Sequence, residues 1–165
     1  MGADYIPGTL AGQWRQDPVS LIPLAMGAHW AEVKPFVLRS AQQFRLPPPP
    51  ALTSAEYTAA FDEVKRLGGD GITTATVRTE EEKTLAIFWA YDEFNGITRD
   101  NSGQVRALSP RSFSTLSQAE TENGRSRIYL GIHWDFDCTR GIEQGRAVAD
   151  FVMRNAFEPT GRPRR

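Results

Sequence analysis

The sequence predicts an all-α fold, a helical bundle of about four main helices that follows an irregular, proline-rich N-terminal arm. Three observations favour this class. Apolar residues recur at helical spacing in four segments, residues that cap helix N-termini precede two of these segments, and no segment alternates polar and apolar residues over a useful length. Because half-buried strands require that alternation, the pattern argues against a β-sheet.

The clearest predicted helix covers residues 54–67. Ser54 stands where its hydroxyl can accept a hydrogen bond from a backbone N–H of the first turn. Gly68 and Gly69 follow the helix, and glycine commonly ends one. The apolar residues that share one face of this helix are Tyr57, Ala60, Phe61, Val64 and Leu67.

A second helix is predicted over residues 79–91, because Thr79 and Glu82 have the spacing of a capping box. Residues 92–111 are rich in turn-forming residues, so we expect a loop there. The apolar face of the second helix is expected to hold Leu85, Phe88 and Trp89.

The last two helices are predicted over residues 114–130 and 139–156. In the later one, Gly141 and Gly145 lie on the same face and are expected to let another helix approach closely. The residues of this helix that we expect to be buried are Ile142, Ala149, Phe151 and Val152.

Residues 1–50 form the arm, in which prolines interrupt any helix. The arm is apolar, so we expect it to pack onto the helices within a single domain of residues 1–165. Prolines at residues 47–50 indicate a stiff connector or, alternatively, a ligand for a proline-binding module. The apolar residues of the arm are Trp14, Leu21, Ile22, Leu24, Met26, Trp30, Phe36, Val37, Leu38 and Phe44.

Composition excludes several classes of function. With 19 Lys and Arg against 20 Asp and Glu, the chain has a formal net charge of −1 and no electrostatic drive toward nucleic acid. The one cysteine, Cys138, excludes an internal disulfide and a thiolate metal cluster. No apolar stretch approaches the ~18 residues of a membrane span. The first residues do not resemble a signal peptide, so we expect a soluble chain that is cytoplasmic, or secreted after removal of a leader.

The residues richest in chemistry are Arg127 and His133. On an unbroken helix their spacing would place them about 240° apart, on different faces. Gly131 lies between them and can end the helix in a left-handed conformation, which would turn His133 back toward the guanidinium. A guanidinium beside an imidazole suits a tetrahedral oxyanion. The alternative is a capped surface helix with a structural histidine.

A divalent metal site is a second hypothesis. If the segment after Gly131 were a strand, His133, Asp135 and Asp137 would share one face and could act as ligands. The alternative is that Asp137 forms a salt bridge or caps a helix.

Residues 126–137, which read Ser-Arg-Ile-Tyr-Leu-Gly-Ile-His-Trp-Asp-Phe-Asp, resemble the third signature of the vanadium-dependent haloperoxidase and type 2 phosphatidic acid phosphatase superfamily. That signature has Ser-Arg, three residues, Gly, one residue and His, usually followed by an aromatic residue and Asp. The resemblance covers nearly the whole chain. It extends to residues 110–120, residues 145–150, Arg78-Thr79 and Phe88-Trp89.

The resemblance implies a helical-bundle oxidase built around bound vanadate. By that resemblance, His133 bonds the vanadium axially, as its metal ligand, and Arg127 hydrogen-bonds the equatorial oxygens. Hydrogen peroxide is then activated, and halide is oxidised to hypohalous acid. In the phosphatase relatives the same histidine attacks the phosphorus of a small phosphate ester, and phosphate takes the place of vanadate.

The chain departs from the family in two signatures. A lysine with Arg-Pro seven residues later is absent, as is a Pro-Ser-Gly-His group, and the histidines are His29 and His133. We therefore expect a shortened relative with an incomplete site, in which the central helices are missing at the join around Tyr91–Phe94. The alternative is a non-catalytic fragment that only binds an anion or packs against a partner. Loss of the central helices would expose Phe88 and Trp89 and favour self-association.

Overall fold

The computed structural model describes residues 2, 4–18, 20–91, 95–100 and 102–157, with Tyr91 described for its backbone only. Asp92–Phe94, where the join was predicted, lie outside the described residues. In the described part of the chain, β-structure is limited to two isolated bridges, and no extended strand is present. The all-α class is therefore confirmed. The helices are a one-turn 3-10 helix at Trp30–Glu32, α1 at Ala55–Leu67, α2 at Glu80–Tyr91, α3 at Leu116–Tyr129 and α4 at Asp135–Asn155.

The predicted N-terminal caps form. The Ser54 hydroxyl accepts a hydrogen bond from the Tyr57 N–H at 3.1 Å, which starts α1. Thr79 and Glu82 cap α2 reciprocally, with backbone-to-side-chain hydrogen bonds of 2.8 and 3.2 Å. These bonds connect residues three apart, so the sequence alone was sufficient to predict them.

The predicted start of α4 at residue 139 is wrong, because the helix begins at Asp135. The Asp137 carboxylate accepts a hydrogen bond from the Trp134 N–H at 3.1 Å, the contact that an acidic residue makes in the first turn of a helix. Asp135 and Asp137 therefore lie on a helix, where residues two apart do not share a face. The strand-based metal hypothesis is wrong for this reason, and the capping role of Asp137 is confirmed.

The chain divides into two compact units, which we call the helical unit (residues 48–143) and the arm unit (residues 1–47 and 144–165). In the helical unit, α3 packs against both α1 and α2. Ile128 and Ser126 of α3 are completely buried. The other buried apolar residues of this unit are Ala60, Leu67, Ala86 and Phe136.

The contact between α2 and α3 includes a polar pair inside an aromatic cluster. Trp89 Nε1–H donates to Glu122 Oε1 at 2.9 Å, and Arg111 approaches both Glu122 oxygens at 2.5 Å. The Trp89 ring lies 6.0 Å from that of Phe113, and the Arg111 guanidinium lies 5.9 Å from the Phe88 ring. Phe88 and Trp89 are therefore half-buried and do not form the exposed patch that we expected.

In the C-terminal half of α4, part of the sequence prediction fails. A side chain at Gly141 or Gly145 would meet open space, so neither glycine is a site of close helix contact in the described structure. Ala149 is exposed, and Ile142, Phe151 and Val152 are half-buried rather than buried. Phe151 belongs to the arm unit, where its ring lies 5.8 Å from that of Phe44.

The arm unit buries less apolar surface than the sequence led us to expect. Ala25 is its buried apolar residue among those described, and His29 lies between the carboxylates of Asp4 and Glu32 at 3.1 and 3.0 Å. The assignment of residues 1–165 to one domain, with 1–50 as a packed arm, stays a prediction. The apolar side chains of the arm that are exposed include Trp14, Leu21, Ile22, Met26, Trp30 and Phe36.

Among the described residues, no helix combines the length and the apolar character that crossing a bilayer requires.

Gly131→Ala is expected to lower the free energy of unfolding by about 1–3 kcal/mol. Gly131 has φ +77°, and a Cβ there would lie 2.8 Å from the Gly68 carbonyl oxygen, a backbone atom that cannot move aside cheaply. The matched control is Gly141→Ala, at a helical site with open space, which should stabilise by about 0.5–1 kcal/mol. Urea unfolding followed by circular dichroism measures both, and equal effects would contradict the prediction.

Glu122→Gln should destabilise the protein less in acid than at neutral pH. Burial raises the pKa of Glu122, but the hydrogen bonds from Arg111 and Trp89 outweigh it and hold the pKa below the usual 4.5. A lowered pKa means that the carboxylate stabilises the fold above pH 4.5 and loses this effect as pH falls through the pKa of the folded state.

The measurement is urea unfolding of both proteins between neutral pH and about pH 3. The control is Glu80→Gln, at a side chain that is 89% exposed, whose effect should not vary with pH in this way. A Glu122→Gln effect that stays constant over the whole range would contradict the prediction.

Candidate functional site

The turn between α3 and α4 carries His133. Gly131 adopts the predicted left-handed conformation, and the Gly131 and Ile132 N–H groups donate to the carbonyls of Ile128 and Arg127 at 2.9 and 3.1 Å. This pair of hydrogen bonds is a Schellman motif, which ends α3 and reverses the chain direction. His133 therefore lies two residues beyond Gly131, four beyond the end of α3 at Tyr129, and two before α4 begins.

Two contacts hold this turn against the end of α1. The backbones of Gly131 and Gly68 touch, since a Cβ on Gly68 would lie 2.4 Å from the Gly131 Cα. The Arg78 guanidinium donates hydrogen bonds to the carbonyl oxygens of Tyr129 and Gly69. Tyr129 is the last residue of α3, and Gly69 lies two residues after the end of α1. One cation thus neutralises the negative ends of two helices.

The Asp137 carboxylate orients His133. His133 Nδ1 lies 3.4 Å from Asp137 Oδ2, and the histidine side chain is 48% exposed. Because a carboxylate only accepts hydrogen bonds, this contact favours the tautomer in which Nδ1 donates to Asp137 and the lone pair is on Nε2. The sequence signal for this pairing was the spacing of four residues between His133 and Asp137. From the sequence, Asp137 was expected to form a salt bridge or a cap, without His133 being named as its partner.

Arg127 lies in the last turn of α3 and is half-buried. Within the described residues its guanidinium forms no hydrogen bond and no ion pair, and none joins it to His133. The turn brings Arg127 and His133 to the same end of α3. It leaves the cationic fork of Arg127 available to an anion.

The neighbouring Arg125 is in the opposite situation. It pairs with Glu63 at 2.7 Å and with Asp135 at 3.2 Å, and its guanidinium lies 5.4 Å from the Tyr129 ring. Burial lowers the pKa of Arg125, but the interactions with Glu63 and Tyr129 outweigh it and raise the pKa above its usual value. Arg125 is therefore a structural cation whose charge is already compensated.

A cavity of about 560 Å³ between α1 and the start of α4 does not suit an anion. Four carboxylates and the single cation of Arg66 line it, and neither Arg127 nor His133 does. A tetrahedral oxyanion would be repelled there and attracted to the exposed turn. The residues that line the cavity are Glu56, Ala59, Ala60, Asp62, Glu63, Arg66, Asp135, Phe136 and Thr139.

The residues at the turn fit vanadate or phosphate in kind but supply only part of a binding site. Arg127 offers a planar fork of donors and His133 offers the Nε2 lone pair. Lys83 pairs with Glu80 at 2.8 Å and Lys65 lies over the Phe61 ring, so neither lysine adds a cation at the turn. Within the described residues, no group of three or more His, Cys, Asp or Glu side chains could hold a metal ion.

Comparison with known proteins gives two matches. A family model described as the VCPO second helical-bundle domain matches residues 50–161. Vanadium chloroperoxidase from Curvularia inaequalis is 32% identical to the chain, in an alignment that covers 55% of this chain and 17% of that protein. The chain therefore spans less than a fifth of the length of this curated relative. No solved structure matches.

Proposed function

The chain belongs to the family of the VCPO second helical-bundle domain, and on that premise we propose that Arg127 and His133 bind a tetrahedral oxyanion at the turn between α3 and α4. The anion is vanadate, with phosphate as the alternative. The observation that supports the proposal is that Arg127, in the last turn of α3, has no hydrogen bond or ion pair among the described residues, while the turn after it carries His133, whose Nδ1 lies 3.4 Å from Asp137 Oδ2. The printed name of the relative, a vanadium chloroperoxidase, supports vanadate as the first choice.

In this proposal His133 is the ligand of the central atom. Asp137 keeps the proton on Nδ1, so the Nε2 lone pair is available to vanadium, or to phosphorus in an ester. Bound vanadate would supply the activation of hydrogen peroxide, with which halide is oxidised. The His133 side chain is 48% exposed, so the anion can reach it from solvent.

Arg127 is the charge partner of the anion. Its fork can donate two parallel hydrogen bonds to two oxygens, which a lysine cannot do. Because Arg127 is half-buried, its attraction for an anion is screened less than that of an exposed arginine. The carboxylates that line the nearby cavity oppose binding, so we expect a dissociation constant on the order of millimolar.

Halide oxidation by this chain alone is expected to be slow. The sequence contains neither the Lys/Arg-Pro signature nor the Ser-Gly-His signature that the family resemblance associates with a complete site. A lysine would stabilise negative charge on the bound anion, and a second histidine would transfer protons. The same absence favours the second candidate, a non-catalytic protein that binds the anion without turnover.

Titration with inorganic vanadate, and separately with inorganic phosphate, tests the site. His133→Ala and Arg127→Lys should each weaken vanadate binding by roughly ten- to a hundredfold, because the first would remove a ligand and the second would remove the planar fork of donors. Vanadium NMR and calorimetry measure the affinities. The control is His29→Ala, which removes the histidine of the arm unit and should leave the affinity unchanged. Equal affinities in all four proteins would refute the proposal.

A bromide-oxidation assay with hydrogen peroxide and vanadate separates the two candidates. A slow rate that disappears in His133→Ala supports a haloperoxidase-like enzyme. Vanadate binding with no rate above the vanadate-only background supports the non-catalytic protein. A rate that His133→Ala does not lower would exclude His133 from the reaction.

A further inference from the structure

The orientation of His133 depends on very few contacts. In the described part of the chain, its imidazole makes one polar contact, the 3.4 Å approach of Nδ1 to Asp137 Oδ2. The side chain is otherwise half exposed to solvent. Because this is its one polar contact among the described residues, the position of the Asp137 carboxylate decides which imidazole nitrogen faces an anion.

Trp134 determines where that carboxylate lies. The Trp134 N–H donates to Asp137 Oδ2 at 3.1 Å, and this is the same oxygen that approaches His133. In return, the Asp137 N–H donates to the Trp134 carbonyl oxygen at 3.0 Å. The backbone of Trp134 and the side chain of Asp137 are thus tied together and move together.

The Trp134 indole is in turn anchored on α1. Its ring centroid lies 5.2 Å from that of Tyr57 and 6.1 Å from that of Phe61, in a nearly stacked arrangement with the latter. Tyr57 and Phe61 are four residues apart and share one face of α1. The Phe136 ring also stacks on the Trp134 indole, with ring centroids 6.1 Å apart. The indole is therefore held by contacts with three aromatic rings.

We propose that Trp134 is a positioning residue for His133: held on α1 by Tyr57 and Phe61, it fixes the Asp137 carboxylate that orients the imidazole. The importance of this arrangement for anion binding rests on the function proposed above. The orientation of the ring itself does not, because it follows from contacts within the helical unit.

Replacement of the indole tests the proposal. Trp134→Phe keeps a ring between Tyr57 and Phe61, whereas Trp134→Ala removes it. The matched control is Trp30→Ala, at an indole of the arm unit that is 73% exposed. Nitrogen NMR of the imidazoles reports which nitrogen carries the proton, and His29 and His133 are the two histidines of the chain, so His29 serves as an internal reference.

In Trp134→Ala we expect the Nδ1–H population of His133 to fall and the signals of His29 to stay unchanged. The affinity for inorganic phosphate or vanadate should fall about tenfold, as for the loss of a residue that orients a ligand. Trp134→Phe should restore both properties in large part, and Trp30→Ala should alter neither. A residue with a merely structural role would lower stability without shifting the protonation pattern of the folded protein.

If Trp134→Ala does not fold, Phe61→Ala takes its place, because Phe61 is 44% exposed and its loss leaves the Tyr57 and Phe136 contacts. A folded Trp134→Ala protein, or the folded Phe61→Ala protein that replaces it, would overturn the proposal if it keeps the wild-type protonation pattern of His133. A shifted pattern in a protein whose wild type binds no vanadate or phosphate would support the positioning role and refute the proposed function. The two proposals therefore fail separately.

Discussion

The backbone contact between Gly68 and Gly131 sets the position of the turn that carries His133. A Cβ on either glycine would overlap backbone atoms of the other segment, so the two segments can meet at this distance only where neither has a side chain. Arg78 strengthens the junction by donating to the carbonyls of Gly69 and Tyr129. The end of α3 is thereby fixed on the end of α1, and α4 begins at Asp135, four residues after Gly131. The rest of the candidate site is built outward from this junction.

Two arginines near the junction have different roles because of their partners. The side chain of Arg125 faces Glu63 and Asp135, so its charge is compensated within the fold. Arg127, two residues later on α3, makes no such pair in the described structure. The acidic residues that compensate Arg125 also line the nearby cavity, whose lining holds four carboxylates and one cation, Arg66.

The site at the turn is held by contacts that lie entirely in the helical unit. The Schellman motif, the cap of α4 by Asp137 and the aromatic anchor of Trp134 on Tyr57 need no residue outside residues 48–143. The described contacts that place His133 therefore all lie within residues 48–143.

The sequence by itself determined the all-α class, the caps at Ser54 and Thr79 and the left-handed Gly131, because these depend on residues within about five positions of one another. The family resemblance identified Arg127 and His133 as the candidate residues of an oxyanion site. Tertiary structure decided which arginine is compensated and that Gly141 faces open space. Arg125 meets Glu63 across 62 residues of sequence, and Gly68 meets Gly131 in the same way. Such contacts depend on how helices pack, which local periodicity does not specify.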